Sequence, residues 1–63
     1  MDKEKVDKLF RYDHLPEHVQ HVSKQFFDLA NNIIAEAPSS PEQTLALRSL
    51  WEAKNLVVWD AFN

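Results

Sequence analysis

An all-α fold is the reading that this sequence supports, and three observations carry it. The chain has no glycine, so the positive-φ positions of tight β-hairpins lack their usual residue. Its apolar residues recur every three or four positions across most of its length. A sharp break, "EAPSSPEQTLAL", falls near the middle at residues 36–47 and carries both a stop and a start signal for helices. The expected architecture is an antiparallel two-helix hairpin with a short N-terminal arm or helix, assembling into a homo-oligomer.

Residues 1–12 form the arm or short helix. Val6, Leu9 and Phe10 have the i, i+3, i+4 spacing of one apolar helical face, and no strong cap stands out. The hairpin itself is expected over residues 13–63. Its first helix should cover about 14–37, with Asp13 as N-cap and Pro16 in the first turn, where a missing N–H costs little. Val19, Val22, Phe26, Leu29 or Ala30, Ile33 and Ala37 mark its apolar face, and Phe27 and Ile34 add a second seam. Pro38 forces the residue before it out of the helical region, which ends the helix. The second helix should cover about 41–62. Ser40 fits the N-cap, Pro41 the first helical position, Glu42 the positive end of the helix dipole, and Gln43 can complete a capping box. Helices of about 21 residues are about 32 Å long. Joined by a tight connection they fold back on each other, so that residue i faces roughly residue 79 − i.

Size and composition narrow the possible functions. Sixty-three residues make at most one small domain, with a marginal core if it stands alone. With no cysteine, disulfides and thiolate metal sites are excluded, and a reducing compartment fits. The charged N-terminus has no apolar signal-peptide region, and no apolar run approaches membrane-spanning length. The net charge of −3 disfavours non-specific nucleic-acid binding. Residues 1–12 carry Lys3, Lys5, Lys8 and Arg11 against Asp2, Glu4 and Asp7. The remainder carries Lys24, Arg48 and Lys54 against seven acids. An anionic ligand would need a local cluster of these few cations. The second helix holds more apolar residues than one partner helix can cover, so self-association is expected.

Few residues suggest chemistry. His14, His18 and His21 have helical i, i+4, i+7 spacing, which suits a metal, but a solvated polar face explains them better. No nucleophile, base and acid form a set, so no enzyme activity and no cofactor are expected. In "LFRYDHLP", Phe10 and Tyr12 flank Arg11. Aromatic faces can stack on bases while a guanidinium pairs with phosphate, or the two rings can simply dock the arm onto a neighbour. Lys24 and Lys54 fall at one level of the expected hairpin beside Asn55, as an anion clamp or as solvated residues. Arg48 is a phosphate ligand or a partner for Glu52. Trp51 and Trp59 fit a core or a subunit interface. Two classes of function remain at this point: an anion-binding assembly, or a structural or regulatory hairpin that binds another protein.

An ordered pattern runs through these elements: Phe10 and Tyr12, then Leu29, Ala30 and Ile33, then Pro38, Ser40, Glu42, Leu45, Ala46, Leu47, Leu50, Glu52 and Ala53. It resembles the phage helical-hairpin domain of anti-CBASS cyclic-nucleotide sponges, which one class of anti-Thoeris sponges shares. The resemblance covers about residues 10–63 and is most specific from Pro38 to Ala53. It implies a small phage protein in the cytoplasm of the infected bacterial host, assembled as a homo-oligomer, a hexamer in the family. It further implies capture of a cyclic di- or trinucleotide, or a related cyclic nucleotide, without cleavage and with neither DNA nor membrane as partner. The family's ligands sit between protomers, an aromatic residue on a base and basic residues on phosphates. Carried onto this chain, Tyr12 is the stacking residue, within a candidate set of Phe10, Arg11, Tyr12, Lys24, Arg48 and Lys54. The family's usual Lys before the Leu-Ala pair is Phe27 here, with Lys24 one turn earlier as its candidate replacement. A family asparagine falls at Val58, and the usual Tyr-His step is Tyr12-Asp13.

Overall fold

A computed structural model describes residues 1–62. It contains α1 (Lys3–Leu9), α2 (Glu17–Glu36) and α3 (Pro41–Phe62), and no strand among the described residues. The molecule measures 35 × 17 × 15 Å. Helix α2 packs against both α1 and α3.

The arm is a true helix, and it does have a cap. The Asp2 carboxylate accepts a hydrogen bond from the Lys5 N–H at 2.8 Å. Lys3–Asp7 and Glu4–Lys8 pairs, one turn apart, line its exposed side at 2.9 and 3.9 Å. A helix of 7 residues is too short to persist in isolation. Tertiary packing holds it. Val6 and Phe10 are fully buried and join Ala30 of α2 and Leu47 of α3 in the core, with Phe26, Ile33, Ile34, Leu50 and Trp51 packed around them.

Helix α2 starts at Glu17, later than expected, and Asp13 is not its cap. The N-cap is Pro16, with φ −56° and ψ 149°, and no side chain caps the helix. The reason is the rule that ends α2 at its other terminus: a residue before proline is pushed out of helical space. Leu15 therefore cannot begin a helix. Instead, its N–H donates to the Tyr12 carbonyl in a turn, and the Gln20 side chain donates to the Leu15 carbonyl at 2.7 Å. At the far end Ala37 is extended, with ψ 146°, before Pro38.

Helix α3 begins as expected, with one change. Ser40 Oγ accepts from the Gln43 N–H at 3.0 Å. The Gln43 side chain does not return to the Ser40 N–H to close a capping box. It donates to the Ala37 carbonyl at 3.2 Å and accepts from the N-terminal ammonium of Met1 at 3.3 Å. Gln43 is buried, and its side-chain amide finds both partners, one at the N-terminus and one at the end of α2.

The two long helices differ in how they use apolar residues. Helix α2 is amphipathic, with Val19, Ser23 and Ala30 buried. Helix α3 is apolar on two opposite faces. Gln43, Leu47, Leu50, Trp51, Lys54, Val58 and Ala61 are buried or half-buried, whereas Leu45, Leu56 and Trp59 are 65%, 71% and 70% exposed. The buried stripe contains a half-buried lysine. Burial alone pushes the Lys54 ammonium below its ordinary range. The buried Ser23 hydroxyl also lacks a hydrogen-bond partner.

Candidate functional site

The turn that delays α2 also sets the position of Tyr12. Phe10 and Tyr12 are two residues apart, yet they part ways. Phe10 lies one turn after Val6 and follows it into the core. Its ring is fully buried and has no face left for a ligand, which corrects its inclusion among the stacking candidates. Tyr12 lies beyond the helix end. It is half-buried, with its ring edge-to-face on Phe27 at a centroid distance of 5.2 Å and an interplanar angle of 71°.

Tyr12 forms a wall shared by two open concavities. One, of about 180 Å³, is lined by Tyr12, Glu17, Gln20, His21 and Lys24. The other, of about 310 Å³, is lined by Asp7, Arg11, Tyr12, Asp13 and Phe27. Each contains one cation already held by a carboxylate. Lys24 Nζ lies 2.7 Å from Asp28, and Arg11 Nε lies 2.8 Å from Asp13. The hydrogen bond from Arg11 holds the Asp13 carboxyl below its usual range. Asp28 raises Lys24 above the usual lysine range, through its hydrogen bond first and its charge second, and the Tyr12 phenol adds a smaller push in the same direction. Both pairs are solvent-exposed. Solvent screens such pairs, so a bound anion could displace either carboxylate at little cost.

The remaining candidates stand apart from Tyr12. Arg48 is exposed on α3 and forms no ion pair with Glu52 or any other described residue. Lys54 lies in the buried stripe of α3. Neither residue lines the two Tyr12 concavities. The histidines also separate. His14 lies in the turn before α2, so the three do not share a helical face, and only His21 reaches the Tyr12 cleft. Among the described residues no group of three or more His, Cys, Asp or Glu could hold a metal ion.

Sequence reasoning missed Glu17, Gln20 and His21 as cleft residues. The signal was present: with Lys24 they occupy i, i+3, i+4 and i+7, one face of α2. No rule of local sequence could show that the chain before α2 folds back to bring Tyr12 over that face. Among the described residues no helix is long and apolar enough to cross a membrane. Comparison with protein-family models, curated proteins and solved structures finds no match.

Proposed function

We propose that this protein is a non-catalytic sponge that sequesters a cyclic oligonucleotide messenger of CBASS-type immune signalling in the infected bacterial host. The carrying observation is Tyr12, an aromatic ring bordered by two open concavities with one displaceable cation in each, Lys24 and Arg11. A base stacked on Tyr12 gains about 1–3 kcal/mol, and phosphates on either side of it reach Lys24 and Arg11. Glu17 and Gln20 suit the amino edge of a base rather than phosphate. The reading takes α2 and α3 as an antiparallel hairpin, which their mutual packing and the 35 Å long axis support. It takes the working form as a homo-oligomer, a hexamer by resemblance to the sponge family, in which a neighbouring copy closes the open side of each cleft. Phe27 stands where that family has a lysine and packs edge-to-face with the Tyr12 ring.

The test is a thermal-shift panel of cyclic dinucleotides, cyclic trinucleotides and cyclic ADP-ribose isomers. A ligand at 100 times its Kd stabilises by about 2.7 kcal/mol, which in so small a domain raises Tm by roughly 10–20 °C. The nucleotide recovered after denaturation should be intact. No shift across the panel, or recovery of linear product from pure protein, would sink the reading. A second reading, a structural or regulatory hairpin that docks on another protein, draws on the exposed Leu45, Leu56 and Trp59. It expects no shift with any nucleotide.

A further inference from the structure

The outward face of α3 carries an exposed heptad stripe. Leu45, Ser49, Glu52, Leu56 and Trp59 step by four and three, and all five are exposed on the side opposite the buried stripe of Leu47, Leu50 and Lys54. Arg48 flanks the stripe. Its natural partner on the same helix is Glu52, one turn away, yet both charges are left without an ion pair. Two exposed leucines of this size, framing an unpaired cation and an unpaired anion, form a surface that complements itself.

We propose that α3 packs antiparallel against α3 of a second copy of this chain, about a two-fold axis passing between Leu50 and Trp51. Antiparallel helices set complementary heptad positions opposite each other. In this register Leu45 packs on Leu56 of the second copy, and Ser49 lies against its Glu52. Arg48 reaches that same Glu52, and the two-fold repeats every contact. One heptad step towards the N-terminal end of α3 would instead set Glu42 against Glu52 of the second copy and Leu45 against its Ser49. That puts like charges face to face, so charge selects between the two. Each apolar layer covers leucine that water now touches, and each charge gains a partner it lacks within the chain.

The inference rests on the self-association contained in the proposed function and names its surface. The test needs no nucleotide, so its outcome is separate from that of the thermal-shift panel. Sedimentation of the wild-type chain at micromolar concentration should give a multiple of 7.4 kDa. Leu56→Glu should at least halve the sedimenting mass while far-UV circular dichroism keeps its helical signal. Arg48→Glu and Glu52→Arg, both at exposed positions, should each weaken association at least tenfold. An equimolar mixture of those two variants should restore it. In the mixture one chain carries acids at both positions and the other carries bases, so only contacts between chains can recover. A monomeric wild type, a Leu56→Glu variant that sediments like wild type, or no recovery on mixing would each overturn the proposal.

Discussion

Tyr12→Ala and Phe10→Ala form one experiment, because the two rings lie two residues apart and are expected to fail in opposite ways. Phe10 is fully buried among Val6, Ala30 and Leu47. Truncating such a ring costs about 3–5 kcal/mol. At 0.05–0.15 kcal/mol per residue, a domain of this length has roughly 3–9 kcal/mol in total. Phe10→Ala should therefore be largely unfolded or melt far below wild type, and any loss of binding would follow from that. Tyr12 is half-exposed, and its ring pairs edge-to-face with Phe27. Losing such a pair costs about 0.5–1.5 kcal/mol, so Tyr12→Ala should stay folded with a modestly lower Tm. Its affinity should instead fall about 5- to 150-fold, the equivalent of losing one stacked base. Tyr12→Phe keeps the ring and should keep most of the affinity. The assays are thermal melts at fixed protein concentration and isothermal titration with the best ligand of the panel. Wild-type affinity in Tyr12→Ala would refute the stacking role. A wild-type melt for Phe10→Ala would refute its place in the core.

Three further outcomes are expected. Ser40→Ala removes the oxygen that accepts the Gln43 N–H and should cost about 1 kcal/mol in a denaturant melt; unchanged stability would mean that the cap contributes nothing. Lys24→Ala should weaken nucleotide binding, and titrations at rising salt should show the deficit shrinking, because the proposed contact is to phosphate; a deficit independent of salt would point to packing instead. Lys54→Met should stabilise the fold at pH 7. Burial lowers the folded-state pKa of Lys54 below its unfolded value of 10.5, so the penalty is full while both states are protonated and is relieved as pH rises through the folded pKa towards 10.5. The advantage of Lys54→Met should therefore narrow in alkaline melts, and a gain that does not vary with pH would reject desolvation as its cause.

The candidate site was legible in the sequence only in part. Tyr12, Lys24 and Arg11 were recognisable because aromatic and cationic side chains are scarce outside the apolar seams of this chain. Phe10 was indistinguishable from Tyr12 by residue type, and only the end of α1 at Leu9 separates the ring that follows Val6 inward from the ring that does not. Arg48 and Lys54 looked equivalent as helical cations, yet one is on the outward face of α3 and the other within its buried stripe.

What the sequence by itself determined is whatever depends on a few neighbouring residues. It specified helices throughout, the break before Pro38, and the Ser40 start of α3, because proline sterics and a hydroxyl cap act over at most one turn. The same proline rule was available for Leu15 and Pro16, where the favourable cap chemistry of Asp13 obscured it. What only the tertiary structure decided is where the stable short segments and the polar side chains go. Helix α1 is too short to hold itself and exists through its burial of Val6 and Phe10. Gln43 abandons its local box because groups from Met1 and Ala37, 42 and 6 residues away in sequence, arrive within hydrogen-bond reach once the chain is folded. Such contacts connect residues that no local pattern relates, so they become defined only when packing brings distant segments together.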